Sequence, residues 1–167
     1  CYSLAIDGIS YKKLYGAEYY VQEIFDSAEL IANLDRNAVA VDHSVYDYIV
    51  YSDEMTFMID GIIEMESYWY DIELIFKFYG EYSFFRGKVI SGSIKENGCI
   101  AVIKNTSVVK KDLKVLMKMG RNDMKKAYIE LKNKMLNSFE DIWEFLNKLK
   151  IFYLKTIRFN RSILLFC

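Results

Sequence analysis

The sequence predicts an α+β protein: an N-terminal α/β domain, a long connecting helix and a C-terminal antiparallel β-barrel. Three observations predict it. Apolar residues recur at three- and four-residue steps over residues 44–64, and from Tyr68 onward at every second residue. Turn signals then separate several short apolar runs, as in small barrels. Charge divides at the same place. Residues 1–65 carry three basic and twelve acidic side chains, a net of −9, and residues 66–167 carry nineteen basic and eleven acidic ones, a net of +8. The expected segments are therefore an acidic domain (1–43), a connecting helix (44–65) and a basic barrel (66–167).

The elements follow in order. Tyr2-Ser3-Leu4-Ala5-Ile6 reads as a short strand closed by Asp7-Gly8. Tyr20, Val21, Ile24, Ala28 and Ile31 are close to helical spacing, and Ala38-Val39-Ala40-Val41 reads as a buried strand. Asp42 or Ser44 is placed to cap the next helix. In that helix Val45, Tyr48, Ile49, Met55, Met58, Ile59 and Ile62 form the apolar stripe. At about 1.5 Å per residue it would be about 30 Å long, a rod between two domains. Next comes a strand with Ile72, Leu74, Phe76 and Phe78 on one face. Gly80, Gly92 and Asn97-Gly98 mark turns, and residues 82–90, 99–104 and 108–117 are further strand candidates. Residues 110–135 fit helix and strand about equally by spacing, though Lys, Leu, Met and Glu favour a helix, and Gly120 would interrupt either. Residues 149–157 read as a strand, and the apolar tail 159–167 has no assigned role.

Composition bounds the class. A chain of 167 residues with 53% hydrophobic and 27% charged side chains can bury a core and is not of the disordered type. Fourteen tyrosines and eleven phenylalanines favour strands and large aromatic contacts. Proline is absent. The cysteines are Cys1, Cys99 and Cys167, an odd number at wide spacing, which argues against a disulfide framework and against a metal-ligand pair. The chain does not begin with Met, which suggests a fragment or a processed product. Cys1 would suit a mature lipoprotein, but the residues after it look folded at once. No apolar run is long enough for a membrane helix.

Enzyme signatures are missing. There is neither a phosphate-binding G-x-x-x-x-G-K-[ST] loop nor a G-x-S-x-G nucleophile elbow. His43 is the only histidine, so no multi-histidine metal site exists, and no local pattern pairs it with a cysteine. Asp42, Asp47 and Asp53-Glu54 are possible carboxylate pairs, though such groups on a helix face usually serve only as solvated charge. A binding module, with no metal and no catalytic residues, is the expectation. The basic half is the part suited to approach a phosphate backbone, unless its lysines form a solvated face that binds nothing.

A family resemblance runs through residues 20–157. Tyr46-Asp47-Tyr48-Ile49 and Gly61-Ile62-Ile63-Glu64 resemble the start and the end of the long helix in bacterial-type translation initiation factor 2. Downstream, Ile72-Glu73-Leu74-Ile75-Phe76-Lys77-Phe78 is similar to the first strand of that family's last domain. Arg86-Gly87-Lys88, Ser91-Gly92-Ser93-Ile94-Lys95-Glu96-Asn97 and Val102-Ile103-Lys104 then resemble its turn, hairpin and next strand. Leu116, Lys118 and Arg121-Asn122-Asp123-Met124 follow, then Ser138-Phe139-Glu140-Asp141-Ile142, then a closing strand at 151–157. No single match is specific; their order and spacing carry the resemblance. The GTPase domain is absent, Lys88 replaces the family's turn cysteine, and its later acidic-cysteine segment is reduced to Glu130-Leu131-Lys132.

The resemblance implies a translation-factor β-barrel that holds the acceptor end of formylmethionyl initiator tRNA on the ribosome. By position, Gly87 and Lys88 would line the pocket turn, Gly92, Lys95 and Asn97 the neighbouring hairpin, Arg121 would reach RNA, and Glu130 would face the amino acid. Of these, Gly87, Gly92 and Asn97 also suit plain turns, and Lys95 and Arg121 also suit solvated charge. The implied protein is a monomer without a membrane contact, in the cytoplasm or in a plastid or mitochondrion. It needs no cofactor, GTP belonging only to a full-length protein. The alternative is a protein–protein interaction module of inhibitor or immunity type, without nucleic acid.

Overall fold

The structure is a computed structural model, and it describes residues 2–6, 48–51, 56–80, 86–93 and 99–166. Six strands form one sheet: β1 (Tyr2–Ile6), β2 (Tyr48–Tyr51), β3 (Thr56–Glu64), β4 (Lys88–Ser93), β5 (Cys99–Lys104) and β6 (Ser162–Phe166). Four α-helices complete the described residues: α1 (Tyr68–Phe78), α2 (Thr106–Lys118), α3 (Arg121–Leu131) and α4 (Phe139–Arg158), with a 3-10 turn at Lys132–Lys134.

The sheet order is β2-β3-β1-β6-β5-β4, and every neighbouring pair is antiparallel. The two chain ends meet at its centre, where Leu4 faces Leu164 across β1 and β6. Register then sorts the side chains. Ser3, Ala5, Val102, Lys104, Ile163 and Leu165 share the face toward the helices. Ile6, Ile103 and Leu164 point the other way and are also buried, so the central strands β1, β5 and β6 are shielded from water on both faces at these positions. Strands buried on both sides read as unbroken apolar runs, as Ser162-Ile163-Leu164-Leu165-Phe166 does.

The helical layer is built on α4. Ile142, Phe145, Leu146, Leu149, Tyr153 and Thr156 are buried along it at three- and four-residue steps. Ser138 caps its start, accepting from the Asp141 N–H at 3.2 Å and donating to the Asp141 carboxylate at 2.6 Å. Against α4 pack α1, through Ile72, Ile75 and Phe76, and α2, through Val109 and Leu116. The buried Asp71 carboxylate ties the α3–α4 connection to α1. It accepts the backbone N–H groups of Leu136 (2.8 Å) and Asn137 (3.0 Å) and the Asn137 side-chain amide (2.8 Å).

This architecture corrects the predicted one. There is no C-terminal barrel: the described sheet is open, ends in the edge strands β2 and β4, and carries helices on one face. Nor is there a connecting helix, because residues 48–51 and 56–64 form strands β2 and β3. Aromatic and β-branched residues make up β2 and more than half of β3, and a run of this kind satisfies helical spacing by chance while favouring an extended chain. The reverse error fell on 68–78, read as a strand but folded as α1. Its buried apolar residues are Ile72, Ile75 and Phe76, whereas Phe78 is exposed. Residues 108–117 and 149–157 likewise lie inside α2 and α4. The tail is not idle: it supplies the central strand β6. Strands at 2–6 and 99–104 and the break at Gly120, which separates α2 from α3, agree with the sequence reading. One sheet thus holds strands drawn from all three segments, 1–43, 44–65 and 66–167. The expected helix at 17–34, the strand at 38–41 and the caps at Asp42 and Ser44 lie outside the described residues.

Candidate functional site

The residues carried over from the resemblance fall in different layers. Gly87 precedes β4 with φ of 145°, and a Cβ there would lie 2.5 Å from the Ile103 carbonyl oxygen, so the close approach of β4 to β5 at this point requires glycine. Lys88 opens β4 and is exposed. Gly92 is not a turn residue; it pairs with Ile100 inside the β4–β5 ladder. Lys95, Asn97 and the Asn97-Gly98 turn lie outside the described residues, as do His43, Cys1, Cys167, Asp42, Asp47, Asp53 and Glu54. Arg121 begins α3 and is engaged locally, with both Glu140 carboxylate oxygens at 2.6 and 2.7 Å and the Phe139 and Trp143 rings beneath it at 5.4 and 5.9 Å. Glu130 is exposed near the end of α3. Gly87, Lys88 and Gly92 therefore belong to the sheet edge, and Arg121 and Glu130 to the helical layer; the fold does not gather them into one pocket.

What the fold does gather is charge along α2. Asn105 caps this helix, accepting from the Val108 N–H at 2.9 Å. Val109, Asp112 and Leu116 are buried on its inner side. Lys110, Lys111, Lys114 and Lys118 fall within about 100° of one another on the opposite side, given about 100° per residue. All four are exposed, and none makes an ion pair or hydrogen bond with a described residue. Lys125 and Lys126 on α3 and Lys132 and Lys134 in the 3-10 turn are also exposed. Sequence reasoning counted these lysines but left their segment between helix and strand. The spacing of the four on α2, with Asn105 before them, was the available signal.

The inner side of α2 also holds charge. The Lys104 ammonium donates to Asp112 at 2.7 Å and to the Tyr153 hydroxyl at 3.1 Å, with both members of the ion pair fully buried. Arg86 stands 3.8 Å from the other Asp112 oxygen. Burial by itself would lower the Lys104 pKa; the neighbouring Tyr153 and Asp112 outweigh it and raise the pKa above the ordinary lysine value. The ammonium therefore keeps its proton, and the site is a closed ion pair without access for a substrate.

At the end of the lysine face lies a cavity of about 320 Å³ lined by Phe76, Tyr79, Val115, Lys118, Met119 and Asp123. Phe76 and Met119 are buried. The Tyr79 hydroxyl donates to the Asp123 carbonyl oxygen at 2.9 Å, which fixes the ring. Desolvation, then the Asp123 charge, raises the Tyr79 pKa, so the phenol stays protonated. The Asp123 carboxylate itself makes no hydrogen bond or ion pair among the described residues. Sequence reasoning missed this cavity because it placed Phe76 and Tyr79 in and after a strand.

Among the described residues no group of three or more His, Cys, Asp or Glu could hold a metal ion, and no helix is long and apolar enough to cross a membrane. No protein-family model, curated protein or solved structure matches the chain. The segments that carried the resemblance to initiation factor 2 also differ in kind. The matched helix end at 61–64 is part of a strand, the matched strand at 72–78 is a helix, and the matched closing strand at 151–157 lies within α4.

Proposed function

We propose that this chain is a binding module that engages RNA through its phosphates along the lysine face of α2. One observation carries the reading: Lys110, Lys111, Lys114 and Lys118 are exposed, unpaired and directed away from the buried seam of the same helix. A side chain held only for solubility is usually balanced by neighbours of the opposite sign, and here the outer side of α2 has none. From Lys110 to Lys118 the helix rises by eight steps, about 12 Å, which matches three to four nucleotides of stacked strand at about 3.4 Å each. This keeps the RNA partner suggested by the initiation-factor resemblance and sets aside the barrel pocket and its formylmethionine specificity. RNA would be met in the cytoplasm or in a plastid or mitochondrial interior.

Anisotropy of a labelled single-stranded RNA 12-mer at several salt concentrations tests it. Four phosphate contacts give a log–log salt slope of about −3, from about −0.7 per contact on a single strand. Replacing the four lysines by glutamine should abolish most of the affinity and that slope. Affinity indifferent to salt, or to the fourfold replacement, would refute the reading. A second reading has its own observation. Ile151 and Leu154, one turn apart on α4, are each about half exposed, as a docking surface for a protein partner would have them. Co-purification of one stoichiometric protein that Leu154→Asp releases, with no RNA bound, would favour it.

A further inference from the structure

We infer that the cavity between α1, α2 and α3 receives one unstacked base, preferentially guanine, from a strand held by the lysine face. This rests on the RNA-binding reading above and extends it from charge to sequence. Lys118 joins the two features, because it is both the last lysine of the face and a wall of the cavity. A strand following the lysines therefore arrives at the cavity mouth. The volume, about 320 Å³, is at the lower end for small-molecule sites, suited to one base and not to a folded RNA element.

The lining fits a base better than another phosphate. Tyr79 is 38% exposed and Phe78, edge-on to it at 5.2 Å, is 48% exposed, so the cavity opens beside two accessible aromatic rings. The bond from Tyr79 to the Asp123 carbonyl holds one ring in place before any ligand arrives, which lowers the entropy cost of stacking. Phe76, Val115 and Met119 supply an apolar floor. Asp123 decides the chemistry. It is an unpaired carboxylate in the first turn of α3. A carboxylate accepts hydrogen bonds only, and it repels phosphate in the midst of a lysine surface. Guanine presents two adjacent donors, N1–H and N2–H, on its Watson–Crick edge, with the O6 acceptor beside them. The carboxylate matches the donors and Lys118 the acceptor. Cytosine and adenine offer one exocyclic donor each. Uracil offers one N–H between two carbonyls that the carboxylate repels.

Anisotropy of labelled ten-residue oligonucleotides on the intact chain tests this: oligo(U), oligo(U) with one central G, and oligo(U) with one central A. The G-containing strand should bind about tenfold tighter than oligo(U), within the range of one base–aromatic stack, with A between them. Asp123→Asn should erase the G preference and leave the salt slope unchanged. Tyr79→Leu should weaken the G-containing strand and leave oligo(U) unchanged. Circular dichroism on both variants confirms the fold, and an unfolded Tyr79 variant leaves the Asp123 variant to decide. Equal affinity for all three strands, or a G preference that survives Asp123→Asn, overturns the base pocket while the lysine face stands. No binding of any strand at low salt overturns both.

Discussion

The two sides of helix α2 use the same chemistry to opposite ends. On the inner side Lys104, from the end of β5, meets Asp112 and Tyr153 where water is excluded; on the outer side four lysines meet nothing but solvent. A buried ammonium must be paired, because removing one partner leaves an uncompensated charge in a medium that cannot solvate it. An exposed ammonium needs no partner and contributes little to stability. The inner charges hold β5, α2 and α4 together, and the outer ones remain available for a ligand. Residue type therefore says less about role than burial does.

The largest expected effect breaks the inner pair. Asp112→Ala should cost about 3–5 kcal/mol of unfolding free energy, as for other buried pairs that lose one partner, read by urea denaturation. Replacing both members, Lys104→Met with Asp112→Leu, should recover most of that loss; a double variant as unstable as the single one would show that the pair is not the cause. Next comes Asp71→Ala, which strands two backbone N–H groups of the α3–α4 connection. The loss should be about 1.5–3 kcal/mol, the range for hydrogen bonds to a charged acceptor. A smaller effect is the alkaline limb of the pH–stability curve. Lys104 has a folded pKa above the ordinary lysine value of 10.5, so the folded state holds this proton more tightly than the unfolded chain does. Its contribution is complete below 10.5 and is lost as pH rises through the folded value. The decline of stability above that pH should therefore be shallower in Lys104→Met than in the parent. The smallest change in stability belongs to the outer side: each Lys→Gln on α2 should shift unfolding by under about 0.5 kcal/mol, although together the four remove RNA binding. A large loss of stability from the outer set would erase the contrast between the two sides.

The sequence by itself determined the local facts that depend on neighbouring residues. The strands at 2–6 and 99–104, the break at Gly120 and the concentration of lysine after Tyr68 were all legible. The RNA-facing expectation came from that charge, but its residues did not: Arg121, named as the RNA contact, is bound to Glu140. The tertiary structure decided which apolar runs became strands. Residues 56–64 and 68–78 are both rich in aromatic and branched side chains, and either period can be traced through each. β3 has β1 and β2 on its two sides to take its backbone hydrogen bonds. Residues 68–78 have no such neighbour and close their own bonds as a helix, with one stripe against α4. The same holds for the tail, whose partner strand lies at the other end of the chain. Backbone polar groups must be satisfied wherever water is excluded, and a partner that distant in sequence leaves no trace in local periodicity.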